Sequence, residues 1–348
     1  MITRFRVQNY KALRDVSLQL TPIHVLIGPN DSGKTSVLEA LRAIHDLPRG
    51  AHVYSFPGRW EGRQLVWRGA DEPRVTLEGD LDDGPRTLEY RASFKFAPVG
   101  RELQDLSQSG LDERLLSVLG PIQSYRWVPA QLALPVAFQT ESRFAMGPSG
   151  FGLALFLADI LGYDRELYGG LVQRFQTLFP YIENVRLFRE QGFKSANDSD
   201  PLSAGYGIYF ALTDGGAALP ASQASDGLLL ALAYLAILYS PEPPRLLLIE
   251  EPENGIHPNR LKDVLRILKE LVREQDRTQV VLTTHSPYVV DLFQPEEVTL
   301  CLKGADGAVT AHRLSESKAV REQRDIFQLG EIWTAEGDEA LAAPVGQG

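Results

Sequence analysis

The chain has 348 residues, 44% hydrophobic and 23% charged, with a formal net charge of -10. That length and apolar content fill a sizeable core of one large or two ordinary domains, and exclude a disordered or fibrous chain. The single cysteine, Cys301, excludes an internal disulfide framework and fits a reducing compartment, while the acidic balance gives no general attraction to nucleic acid, which is held by lysines and arginines.

In chain order, TRFRVQ and LRDVSLQL flank a turn at NYKA and alternate as strands do, and the apolar run HVLI reads as a buried strand. RQLVW, PRVTLEGDL and RTLEYRASFKF, between Arg63 and Phe96, are separated by Gly, Pro and Asp turns and predict an antiparallel sheet. From about Glu102 to Pro180 the pattern is mostly helical, broken by SYRWVPAQLALP and MGPSGFG. Strands return at ENVRLF and GIYFALTD. A helix from Gly227, the strand RLLLIE, a helix from Asn259 to about Gln275, the strand TQVVLTT and a short helix after Ser286 alternate in the manner of a parallel sheet. The end, DEALAAPVGQG, reads as a frayed tail. The domain expectation is a lobe over 1–96, a mainly helical insertion over 97–204, a second lobe over 205–335 and a tail over 336–348. The opening MITRFRVQNY lacks the apolar run of a signal peptide, and the longest apolar stretch, Leu228 to Tyr239, spans 12 residues, too few for a bilayer. The expected location is therefore cytoplasmic, with no membrane partner.

GPNDSGKT fits G-x-x-x-x-G-K-[ST] with Gly28, Gly33, Lys34 and Thr35. The glycines let successive backbone N–H groups turn inward on phosphate oxygens, and the helix opening there favours an anion. Lys34 is expected at the β and γ phosphates and the Thr35 hydroxyl on Mg²⁺. Asn30, Ser32 and Ser36 complete the nucleotide-binding candidates. Downstream, LLLIEEPENGIHP ends an apolar strand in two acids, which point to opposite faces if the strand runs through both. Glu250 suits the Mg²⁺ shell, and Glu251 suits polarising an attacking water. His285 in VVLTTHSP stands just past another strand end, the edge at which open α/β sheets bind ligands, and is expected at the γ-phosphate.

SQASDGLLL places Ser225 and Gly227 at the start of a long apolar helix, a second anion-binding end that Ser225 is able to cap. The order of phosphate loop, serine-glycine signature, acidic strand and histidine resembles the ABC-type ATPases. FRVQNYKALRDVSLQL, EEPENGIHP and TTHSP are similar to the soluble RecF-like, SMC-like and OLD-like branch. The resemblance implies an ABC-type P-loop ATPase head: an α/β fold with a mixed sheet, an N-terminal antiparallel β subdomain and a mainly helical insertion. It also implies ATP sandwiched between two heads, each supplying a phosphate loop to one nucleotide and a signature serine to the other, so that the chain dimerises on ATP. Asp226 stands where transporter subunits usually carry glycine, and Glu250 where many relatives have aspartate. Gln131 is a candidate for the glutamine loop, and Lys11 for a further nucleotide contact.

The expected activity is a soluble ATPase switch in DNA maintenance or antiphage defence. The alternative is the cytoplasmic motor of a transporter, disfavoured because Thr35 and Ser225 stand 190 positions apart. No sustained heptads predict a long coiled-coil arm. The 63 residues from Ser286 to Gly348 hold no D-x-D pair, so a nuclease, if involved, is expected as a separate partner. Lys262, Arg266, Lys269, Arg273 and Arg277 share one face of the helix after the acidic strand; nucleic acid is a weakly supported use beside an ordinary solvated face.

Overall fold

The computed structural model describes residues 1–50, 56, 61–97, 99, 102–138, 143–201, 203–274 and 278–344. In chain order the elements begin with β1 (Ile2–Tyr10), β2 (Leu13–Gln19), β3 (Ile23–Ile27), α1 (Lys34–Asp46), β4 (Arg74–Asp82), β5 (Thr87–Phe96), β6 (Leu103–Ser109) and α2 (Glu113–Leu119). They continue through β7 (Ile122–Tyr125), α3 (Pro129–Leu132), β8 (Val136–Ala137), α4 (Leu153–Tyr163), α5 (Arg165–Leu178), β9 (Ile182–Gly192), β10 (Ser203–Leu212), β11 (Leu219–Pro220) and α6 (Asp226–Leu238). The chain then runs through β12 (Leu246–Glu250), α7 (Pro258–Glu274), β13 (Gln279–Thr283), α8 (Pro287–Val290), β14 (Val298–Lys303), β15 (Val309–Arg313), α9 (Lys318–Gln323) and α10 (Leu329–Ala342). Two compact units emerge: Met1–Ile122 with Pro244–Glu251 and Arg277–Gly348, and Gln123–Pro243 with Pro252–Asp276.

The first unit carries an antiparallel sheet in the order β2-β1-β4-β5-β6 and a second sheet in which β15, β14, β3, β13 and β12 are successive neighbours. Alternation in β1 buries Phe5 and Val7 opposite Leu18 and Val16 of β2, while Arg6 stays outside and donates to Asp15 at 2.8 Å. In the second sheet β14, β3, β13 and β12 run parallel, with β15 antiparallel at the edge. Burial of β3, β12 and β13 along nearly their whole length accounts for their apolar runs. Polar side chains also enter that interior, His24 of β3 and Thr299 of β14 among them. His24 is fully buried between the hydroxyls of Thr21 at 3.1 Å and Thr299 at 2.9 Å, and burial pushes its imidazole pKa down to about 3.

Two segments of this unit differ from the sequence expectation. RQLVW is a 3-10 turn over Gly62–Leu65, with only Val66 bridging to the sheet at Tyr10; Gly62 is buried where a Cβ would stand 2.2 Å from the Ala97 carbonyl. Residues 103–109, expected within a helical stretch, form the edge strand β6. Their partners on β5 run from Arg91–Ser109 to Phe96–Leu103, and the Tyr90 hydroxyl donates to Gln108 at 2.6 Å. An exposed edge strand buries little of its own, so LQDLSQS carries no apolar period and its neighbour decides its conformation. The chain end also departs from a frayed tail: α10 bends at Gly337 (φ 78°) and continues to Ala342 with Leu341 buried. Residues 345–348 lie outside the described residues.

The second unit is built around α6, whose side chains from Leu228 to Leu238 are all buried, which explains a helix apolar on every face. β9 and β10 pair along their length, and Phe210 of β10 stacks on Phe175 of α5 at 5.9 Å between ring centres. Tyr125, Trp127 and Tyr234 form a buried aromatic row with spacings of 4.9 and 4.4 Å. Among the described residues no helix is long and apolar enough to cross a membrane.

Candidate nucleotide site

The phosphate loop joins the buried end of β3 to the first turn of α1. Gly28 (φ 132°) and Gly33 (φ 88°) occupy backbone regions that disfavour any side chain. The packing is also closed to one: a Cβ on Gly28 would stand 2.2 Å from the Cys301 carbonyl, and one on Gly33 2.7 Å from Val309. The hairpin of β14 and β15 is thus the floor of the loop. Lys34, 6% exposed, donates to the carbonyls of Gly28 at 2.9 Å and Pro29 at 2.8 Å and to Ser32 Oγ at 3.3 Å. Ser32 is buried, Asn30 and Thr35 are exposed, and Ser36 is half-buried on the first turn of α1.

The acids part company for a reason the sequence alone does not reveal. β12 ends at Glu250, whose Oε2 accepts from Thr35 Oγ1 at 3.1 Å. Glu251 leaves the strand with φ 50°, a left-handed turn, while its N–H donates to the Thr283 carbonyl at 3.0 Å. The turn aims its carboxylate at His285, with Oε1 and Nε2 3.5 Å apart. Alternation along one strand therefore does not separate the two carboxylates; a break between them does. The structure thus brings Thr35 beside Glu250 and Glu251 beside His285, all within the first unit.

Ser225 and Gly227 belong to the second unit. Ser225 is the N-cap residue of α6, yet its side chain makes no cap bond and is exposed, which corrects the expectation that it caps the helix. A Cβ on Gly227 would meet nothing within 4 Å. Gln131 lies in α3 and donates to the Ala196 carbonyl at 3.4 Å. Lys11 (φ 50°) is ion-paired with Glu39 of α1, which also accepts from the Tyr10 hydroxyl at 2.9 Å. On α7 the exposed bases are interleaved with acids: Arg266 reaches Asp263 at 3.3 Å and Arg273 reaches Glu274 at 3.3 Å. That is the solvated-face arrangement, with Arg277 outside the described residues.

Sequence reasoning passed over Lys303 and Asp31. Lys303, at the end of β14, donates to Asp31 of the phosphate loop at 2.6 Å. A partner 272 positions away leaves no local signal.

A family model described as an AAA ATPase domain matches residues 1–50, and one described as an AAA domain, putative AbiEii toxin of a type IV toxin–antitoxin system, matches 162–291. A curated OLD nuclease from Thermus scotoductus is 23% identical, with the match covering 99% of this chain and 70% of that protein. In these matches the chain is similar to ATPases of the RecF/SMC/OLD-like branch. Solved heads of that branch share its fold. An Smc head bound to the C-terminal winged-helix domain of ScpA is 16% identical with a TM-score of 0.62, covering 92% of this chain and 99% of that one. An Smc head with an extended coiled coil, bound to the C-terminal domain of ScpA derived from Pyrococcus furiosus, is 13% identical with a TM-score of 0.55, covering 93% and 99%. The ABC-type P-loop head, with its antiparallel and mixed sheets, is the fold expected from the sequence.

Proposed function

We propose that this ATPase hydrolyses ATP with Mg²⁺ at a composite site between two copies, in the cytoplasm, as a nucleotide-driven switch in DNA maintenance or antiphage defence. One observation carries the reading: the signature end of α6 has an uncapped, exposed serine and a glycine with open space around it. Among the described residues no cap bond is made by the Ser225 side chain and no atom stands within 4 Å of a Cβ on Gly227, and a helix start of this kind suits a phosphate brought by a second copy.

The donor set fits the magnesium complex of a triphosphate. Thr35 and Glu250 juxtapose a hydroxyl and one carboxylate, the modest protein share that Mg²⁺ takes when phosphates supply further oxygens. The ion, when bound, neutralises charge on the β and γ phosphates. Lys34 exchanges its loop oxygens for phosphate oxygens. Glu251 accepts a proton from water as the water oxygen bonds to the γ phosphorus and the bond to the β-phosphate oxygen breaks, releasing ADP and phosphate. His285, beside Glu251, contacts the γ-phosphate. Hydrolysis separates the heads, and a separate effector or nuclease senses the change; similarity to an OLD nuclease supports such a pairing.

Complementation tests the sharing. Lys34→Ala and Ser225→Arg proteins, each inactive alone, should regain ATP turnover when mixed, because one composite site in a mixed dimer is intact. No recovery under conditions where wild type turns over would defeat the proposal.

A further inference from the structure

Asp31 is an odd occupant of a phosphate loop. It holds φ 65°, a left-handed conformation that few residues besides glycine accept, and it places a carboxylate, 83% exposed, in a loop that receives a triphosphate. Its partner is Lys303, at the point where β14 leaves the sheet, with Nζ 2.6 Å from Oδ2 and 37% of the lysine side chain exposed. The same hairpin already touches the loop twice, at Gly28 through the Cys301 carbonyl and at Gly33 through Val309. Lys303 adds a contact made by charge.

We infer that Lys303 is a positioning residue for the phosphate loop: its ion pair holds Asp31 in the left-handed turn and cancels a carboxylate that would otherwise oppose the nucleotide phosphates. The inference rests on the nucleotide reading above for its effect on ATP, but the latch is a property of the loop itself. Glycine at position 31 needs neither service, since it accepts the turn without strain and brings no charge. The lysine should therefore matter only when Asp31 is present.

The test uses the full chain in low salt, with ATP and Mg²⁺ as the probe. Lys303→Ala should weaken ATP binding roughly 2- to 5-fold, with turnover at saturation within about twofold of wild type and Lys303→Arg close to wild type. The wild-type advantage should fade near 1 M salt, where screening acts over about 3 Å. Adding Asp31→Gly to Lys303→Ala should bring affinity back to that of Asp31→Gly alone. Unchanged affinity in Lys303→Ala would overturn the inference, and so would a double variant as weak as Lys303→Ala, which would mean that the lysine touches the nucleotide directly. Amide exchange across residues 30–33, measured before ATP is added, should rise in Lys303→Ala and not in Lys303→Arg; unchanged exchange would overturn the latch whatever ATP does. A wild-type protein that bound no ATP would instead remove the nucleotide reading, with exchange still deciding the latch.

Discussion

The phosphate-loop side of the first unit and the signature end of α6 in the second are both helix starts rich in small residues, yet they are built in opposite ways. Around Gly28 and Gly33 a Cβ would meet backbone or a core valine at once, and Lys34, Thr35, Glu250, Glu251 and His285 all have a named contact inside their own unit. Among the described residues, the Ser225 side chain makes no cap bond and a Cβ on Gly227 would meet nothing within 4 Å. Small residues in the first place are dictated by what already surrounds them. In the second, internal packing gives no reason for them, so the reason is sought in something that arrives.

The largest effect that would sharpen this contrast is on chemistry. Glu251→Gln should slow ATP turnover by about 10² to 10⁴ while leaving ATP binding intact; steady-state rates that matched wild type would take Glu251 out of the proton-accepting role. Next comes the closed region itself. Gly28→Ala places a methyl on the Cys301 carbonyl at a φ that alanine avoids, and should cost roughly 2 to 4 kcal/mol of stability in a denaturant titration.

A smaller effect depends on pH and on His24, near the start of β3. Its pKa, near 6.5 when unfolded, is about 3 in the fold, so between these values the unfolded chain binds the extra proton. Stability should hold above about pH 6.5 and decline as pH falls toward 3, by up to about 1.4 kcal/mol per unit from this residue. In His24→Asn that slope should flatten when each protein is referred to its own value at pH 7; identical slopes would show that the imidazole takes no part. The smallest stability effect belongs to the open region. Gly227→Ala should change folding by less than about 1 kcal/mol, either way, since it sits in a helical first turn with room around it. ATP-driven association, followed by light scattering, should nevertheless weaken, and a Gly227→Ala protein that associated normally would blur the contrast.

Much of this was written locally. GPNDSGKT between an apolar strand and a helix specifies a phosphate loop because glycine, lysine and threonine act within eight residues, and LLLIE and TQVVLTT announce buried parallel strands by unbroken apolarity. What the sequence left open was settled by partners far along the chain. β6 became a strand because β5 offered a free edge, and RQLVW stayed out of the sheet with Gly62 packed under the Ala97 carbonyl. The two glutamates diverge because Glu251 takes a left-handed turn held by Thr283, and Lys303 reaches Asp31 only because β14 lies beside β3. Residue types and short spacings fix which chemistry is possible; backbone breaks and long-range packing aim the side chains that carry it.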